Sequence, residues 1–247
     1  MKDGPEREVA GMSHGPIGLR LPDGEPWAGP WRSVAVTDLV ADLLRTPATA
    51  DRRPAVVAVD GRSASGKSTL AAGLVAAVRH AHLVHTDDIA WWHSFFDWAE
   101  LMRSGVLEPV HRGAAVEFTP PAWTERGRQG AVVVPADAAL VVVEGVGAGR
   151  HELADLVDAT IWVQADEEVR MAREATRIAR GDVTAELVEE WQREEYPFVA
   201  RQRVWERADH VVAGGVGLLT GGLRPRRPAH DVLVGRRDDA GRGSGRP

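Results

Sequence analysis

Short, almost continuous apolar runs alternate along this chain with longer stretches in which apolar residues recur at helical spacing. Ala55–Val59, Leu140–Val143 and Ala159–Val163 are runs of the first kind. Brief runs rich in β-branched residues predict strands buried on both faces. His82–His85 and His210–Ala213 are shorter strands of the same type. Val36, Leu39, Val40, Leu43 and Leu44 predict a helix over Val34–Arg45 with Thr37 able to cap it, and Leu70, Leu74, Val75 and Val78 predict a second. Further helices are predicted over Glu167–Arg180, Thr184–Arg193 and Glu195–Arg207, with Pro197 in the first turn of the last. Strands separated by helices imply an α/β fold, a parallel sheet with helices on both faces and ligands at the strands' carboxyl ends.

Three weaker segments, Val106–Val110, Ala114–Phe118 and Ala131–Val134, surround a Gly/Pro-rich region and predict short strands of a small flap. Residues 1–33 hold many Gly and Pro without periodicity and read as a loose leader, with Met12 an alternative start. A single domain is expected over 34–220, its core at 55–213, with Thr46–Pro54 a linker ahead of that core. Residues 221–247 carry seven arginines against three aspartates and read as a disordered, solvated tail.

The first apolar run leads straight into Gly61-Arg62-Ser63-Ala64-Ser65-Gly66-Lys67-Ser68, a complete G-x-x-x-x-G-K-S phosphate loop, and a predicted helix follows it. Glycines let successive backbone N–H groups curl around a phosphate, and the helix N-terminus adds partial positive charge. Gly61, Ser63, Ala64, Ser65, Gly66, Lys67, Ser68 and Thr69 are the expected phosphate-contacting stretch. Lys67 would reach the β- and γ-phosphates and Ser68 would hold Mg²⁺. Composition strengthens this: of 30 basic residues only Lys2 and Lys67 are lysine. In a chain so biased to arginine, lysine stands where a compact point charge suits the site. The implied ligand is a nucleoside triphosphate.

The remaining composition excludes more than it suggests. A net charge of −6 argues against general nucleic-acid binding, and the absence of cysteine removes disulfides and thiolate metal sites. No apolar run reaches membrane-spanning length and the first residues lack a signal-peptide core, so a cytoplasmic protein without a membrane partner is expected. A homo-oligomer is compatible with all of this. The chain has no asparagine, hence no guanine-reading N-K-x-D motif, and ATP is the expected donor.

Asp60 to Leu70, D-G-R-S-A-S-G-K-S-T-L, resembles the opening of the uridine kinase and phosphoribulokinase group of P-loop kinases. His85-Thr86-Asp87-Asp88 is similar to that group's segment after its second strand. Leu101 through Pro109, with Pro121-Ala122-Trp123 and Arg126, is similar to its flap, and Val141–Gly145 to its magnesium strand. Asp166–Arg180 resembles its arginine-bearing lid, and Ala208–Val212 its last strand. The resemblance covers about 55–213 and implies a five-stranded parallel sheet in the order 2-3-1-4-5, a small β flap and a helical lid. There are departures: Ile89-Ala90 stands in place of an aromatic pair, Trp123 in place of a tyrosine with no aspartate after it, and Arg173-Glu174 where Arg-Asp is common. They fall mostly in the acceptor half.

The resemblance makes Asp87 the candidate catalytic base, with Lys67 and Asp88 beside it in the catalytic set. Asp88 is a candidate for Mg²⁺ through water, and helix capping is the plainer role for the pair. A zinc site at His85 and His93 is conceivable but poorly supported without cysteine. Glu144 follows four buried positions, where an unpaired carboxylate is costly, so it is assigned with Ser68 to magnesium. Arg170, Arg173, Arg177 and Arg180 share one helical face; Arg173 and Arg177 are expected to close over phosphates, a solvated face being the alternative. His93, Phe96, His111, Trp123 and Arg126 are candidates for a substrate pocket, and core packing competes for the aromatic residues at 91–98. The expected activity is transfer of the γ-phosphoryl of ATP, with Mg²⁺, to a hydroxyl of a small molecule, a nucleoside-like or sugar-bearing metabolite. The alternatives are a kinase of another alcohol, such as a natural product, and an ATP-binding regulator or slow ATPase.

Overall fold

The computed structural model describes residues 20–45, 53–215 and 231–235. Met12 and the other ends of the chain lie outside them, as does most of the linker. The core is a seven-stranded, mostly parallel sheet. Its strands are β1 (Arg32–Ala35), β2 (Ala55–Asp60), β3 (Ala81–His85), β6 (Leu140–Glu144), β7 (Ala159–Gln164), β8 (His210–Ala213) and β9 (Asp231–Val234). A hairpin of β4 (Val116–Phe118) and β5 (Val132–Val134) stands apart from it. The order across the sheet is β1-β9-β8-β7-β2-β6-β3. Five strands were expected; β9 and β1 add two, paired antiparallel to β8 and to each other.

Period-two alternation sorts the strand residues onto two faces. Val56, Ala58, Val141 and Val143 join Ile89, Trp98, Met102 and Trp123 on one face. Val57, Val59, Val142 and Ile161 join α1 (Val36–Leu43) and α2 (Lys67–Ala77) on the other. Burial on both faces is why these strands read as unbroken apolar runs.

Four expectations are corrected. The leader and tail are not loose where they are described: β1 pairs with β9, and Leu233 and Val234 are buried. So short an apolar run, Val232-Leu233-Val234, becomes a strand only once β8 and β1 flank it, which local sequence does not announce. Thr37 does not cap; α1 begins at Val36 after β1. Val106–Val110 is not a strand: it lies in a continuous helical stretch of α4 (Ala99–Met102), a π-type turn (Arg103–Leu107) and α5 (Glu108–His111). Val106, Leu107 and Val110 share a buried face there, and helical i, i+1, i+4 spacing serves them as well as a strand would. Finally, the two helices expected over 184–207 are one long α8 (Ala185–Gln202) with Pro197 in its interior, then α9 (Val204–Arg207). The break falls at Arg203, in the left-handed region at φ 41°.

Candidate functional site

β2 ends at Asp60, which is buried and accepts backbone N–H bonds from Gly61 (2.7 Å), Gly147 (2.9 Å) and Gly149 (2.9 Å). Burial pushes its carboxyl up, against the pull of those three donors and of Lys67. The glycine loop that follows needs its glycines: Gly61 and Gly66 have φ of 150° and 104°. A Cβ at Gly61 would lie 2.6 Å from the Val163 carbonyl oxygen, and one at Gly66 would lie 2.8 Å from that of Gly214. The loop delivers Lys67 as the first residue of α2, buried, with Nζ donating to the Arg62 carbonyl at 2.9 Å.

Three strand ends meet beside that ammonium. Ser68 Oγ donates to Glu144 Oε1 at 3.2 Å, and His85 Nδ1 lies 2.7 Å from Glu144 Oε2. β3 and β6 pair in register, with His85 opposite Glu144, which sets this contact. Gly145 permits it: a Cβ there would strike Thr86 Oγ1 at 1.7 Å. Burial would raise Glu144, but the bond from His85 and the charge of Lys67 outweigh it and hold the carboxyl below its ordinary range. His85 is raised in turn, first by that hydrogen bond. Asp87 is the second residue of α3 (Thr86–Ala90) and is exposed. The surrounding protein displaces enough water to raise its carboxyl, with Glu144 adding and Lys67 opposing. Lys67, Ser68, Asp87 and Glu144 are thus brought together.

Asp88 turns away from this group. Its carboxylate is held by Arg128, and its carbonyl accepts the Trp123 indole N–H at 2.8 Å. The Arg128 guanidinium lies 3.5 Å over the Trp123 ring. Trp123, on α6 (Pro121–Glu125), is a buried anchor of the hairpin region against α3. Arg126 is exposed and lies over Trp92 instead. Sequence reasoning named Arg126 and passed over Arg128, two residues away. Only the fold shows which one faces Asp88.

The helix α7 (Glu167–Ala179) starts at a cap, Asp166, which accepts from Val169 N and from Arg20 N of the leader. Arg173 donates to the carbonyls of Ala64 and Gly214 at 2.8 and 2.9 Å, on the rim of the glycine loop. Arg177 is exposed one turn on. The arginine that joins Arg173 on the loop is Arg170, buried, donating to the Ser63 carbonyl. From α8, the fully buried Glu195 accepts from Ser63 N. Arg62 pairs with Glu25 of the leader, whose carboxylate also takes the Trp162 indole N–H and the Gln164 amide. Glu25 and Glu195 carry no sequence signal; each lies far along the chain from the loop it holds.

Of the other substrate-pocket candidates, Phe96 stacks on Phe198 with ring centroids 4.2 Å apart. It lines a cavity of about 470 Å³ with Ser94, Phe95, Arg150, Glu194 and Arg201. His93 is exposed and bonds the Asp97 carbonyl, while His85 faces Glu144, so the two do not form a zinc pair. His111 ends α5 near Asp155 and is not brought to the cluster. Among the described residues no group of three or more His, Asp or Glu side chains is arranged to hold a metal, and no helix is long and apolar enough to cross a membrane.

No family model matches the chain, and no curated protein matches it in sequence. Solved structures do resemble it. One is a protein of Silicibacter sp. TM1040 described as a candidate fructose transport system kinase, at 17% identity over 71% of this chain and 95% of that one, with a TM-score of 0.46. Another is a candidate uridine kinase from Bacillus stearothermophilus, at 18% identity over 71% and 96%, with a TM-score of 0.47. A third, TT1252 from Thermus thermophilus, is 20% identical over 67% and 91%, with a TM-score of 0.38. Function is read from the residues of the site, because one fold hosts many chemistries.

Proposed function

We propose that the chain is a small-molecule kinase. The observation that carries this reading is the convergence of Asp87 with Lys67, Ser68 and Glu144 at the carboxyl ends of parallel strands. A nucleotide-binding regulator has no need of an exposed carboxyl beside the loop lysine.

The residues fit both groups the reaction requires. The backbone cradle at Gly61 and Gly66 has no room for a Cβ and leads into a helix N-terminus, as a phosphate site demands. Ser68 and Glu144 offer a hydroxyl and a low-lying carboxylate, a pair suited to Mg²⁺, which takes one or two protein oxygens and completes its shell with phosphate and water. ATP supplies the phosphoryl group when bound, and Mg²⁺ neutralises its charge. Lys67, which here donates to the Arg62 carbonyl, would hold phosphate oxygen when the triphosphate is bound. Arg170 and Arg173 brace the loop from its rim. Asp87 takes the proton of the attacking hydroxyl and orients its oxygen; Asp88, clamped by Arg128, fixes the helix turn that aims Asp87. The acceptor is read as a nucleoside-like or sugar-bearing metabolite.

The test is paired. Asp87→Asn should bind Mg·ATP as the parent does, yet lose acceptor-dependent ADP formation by about 10²–10⁴. Full turnover in this variant would move the base elsewhere. If no acceptor among nucleosides, sugars and cell-extract fractions stimulates the parent, the chain is a regulator or slow ATPase.

A further inference from the structure

The 470 Å³ cavity lies between the segment after α3, the loop after β6 and helix α8, within the size range of small-molecule sites. Its apolar side is a set of rings: Phe96 stacked on Phe198, with Phe95 edge-on to Trp191. Its floor holds Arg150, 1% exposed, the guanidinium 4.3 Å from the Trp98 ring centroid and 4.6 Å from that of Phe198. Among the described residues this guanidinium makes no side-chain hydrogen bond: Nε has none, Glu152 is only a loose ion-pair partner at 3.9 Å, and Asp60 and Asp97 act on it through their charge alone. Glu152 is itself engaged by the Gln202 amide. Two aromatic faces offset only part of the desolvation of a buried cation, and five N–H donors want oxygen acceptors. Buried guanidinium groups without partners are found where a ligand's carboxylate or phosphate completes them.

The cavity is also coupled to the glycine loop. Asp60, the residue before the loop, bonds the backbone of Gly147 and Gly149, and Glu195 on the wall-forming α8 bonds Ser63 N.

We infer that this cavity binds an organic anion with a flat apolar body, whose carboxylate or phosphate seats on Arg150. Resting on the kinase reading, that molecule is the phosphoryl acceptor, and the acceptor therefore carries a negative charge before it is phosphorylated. Glu190 and Glu194, one turn apart on α8, line the same cavity together with Asp97, Glu152 and Arg201, and favour hydroxyl or amino groups on the rest of the ligand.

The experiment uses the full chain and four probes in two matched pairs: phenyl phosphate against phenol, and 3-phenylpropionate against 3-phenylpropanol. Binding is read from tryptophan fluorescence and calorimetry. The parent should bind at least one anion tenfold or more tightly than its neutral partner, and which anion wins tells phosphate from carboxylate. Arg150→Met should erase that preference. Arg150→Lys keeps the charge without the planar fork, and should weaken the preferred anion about tenfold while ATP affinity reports an intact fold. Equal binding of charged and neutral probes by the parent, or an unchanged preference in Arg150→Lys, overturns the inference. A parent that prefers the anion through Arg150 but turns over no acceptor sinks the kinase reading and leaves the anion site standing.

Discussion

The donor and acceptor sides that we propose for this site are built in opposite ways. On the donor side, eight consecutive residues from Gly61 to Ser68 make the loop, and its groups are already engaged: Lys67 on Arg62, Arg173 on Ala64, Glu195 on Ser63. On the acceptor side nothing is contiguous. Ser94–Asp97, Arg150 and residues of α8 meet only through the fold, and among the described residues Nε of the buried Arg150 makes no hydrogen bond. A phosphate loop binds the same chemical group in every protein that uses it, so backbone geometry can be fixed in sequence. A pocket for one acceptor is drawn from whichever elements border it, so its polar groups follow no contiguous pattern.

The largest expected effect tests that division on its donor side. Lys67→Met keeps the length of the side chain and removes the charge, so triphosphate affinity should fall by about 10² or more, with turnover abolished. Calorimetry with ATP and with acceptor-side anions decides it. Loss of both affinities at once would mean the halves are not separable. Next in size is Arg128→Ala, which frees Asp88 and unstacks Trp123. Turnover should drop roughly tenfold with ATP affinity unmoved, as positioning faults act on the chemical step. A change confined to ATP affinity would put Arg128 on the donor side.

The same contrast explains what the chain discloses by itself. The five central strands and the loop with Lys67 and Ser68 are legible because burial on both faces and phosphate geometry each impose a local pattern; the proposed role of Glu144 comes from its place after a buried run, and that of Asp87 from the family resemblance alone. Arg170 was passed over for Arg177 since four arginines at helical spacing differ only in which neighbour each meets. Arg150 was not noticed at all: a single arginine after a Gly-rich turn has no pattern, and its meaning comes from Trp98, some fifty residues earlier, and Phe198, some fifty later. The tail strand was missed for a related reason. Asp231–Val234 is only four residues long, flanked by arginine-rich sequence, and its partner β1 lies toward the other end of the chain.

Removing that strand is the next prediction. β9 covers β8, whose end carries Gly214, and the Gly214 carbonyl holds Arg173 at the glycine loop. Burial of a Val or Leu side chain is worth roughly 1.5–3 kcal/mol, an upper bound because the unfolded chain already buries part of that surface. Truncation after Gly221 removes Leu233 and Val234, so the melting temperature should fall by about 5–10 °C. ATP affinity should fall with it, more than affinity for acceptor-side anions. An unchanged melting temperature would show that β9 adds nothing to the sheet.

The smallest effect separates the two acids at the centre of the cleft. Glu144 is held below its ordinary value in the folded protein, and Asp87 is raised above it. For a lowered carboxyl, the stabilising contribution is present above the unfolded value and is lost as pH falls through the folded one. For a raised carboxyl the sign reverses: the folded state prefers the protonated form, so ionisation costs stability as pH rises through the folded value. Glu144→Gln should therefore lower the melting temperature near neutrality, and Asp87→Asn should raise it slightly. Both differences should close well below the ordinary carboxylate range, where the parent's two acids are protonated in either state. The activity profile adds an independent reading, because a base must be ionised to take a proton. The acidic limb of turnover should lie above the ordinary aspartate value of 3.8, displaced upward by the desolvation that raises Asp87. Desolvation is the property that makes Asp87 a better base and a worse structural residue, so the two measurements must agree. If Asp87→Asn destabilises near neutrality, its carboxylate is held by favourable contacts like those of Glu144, and it belongs to the donor side of the cleft.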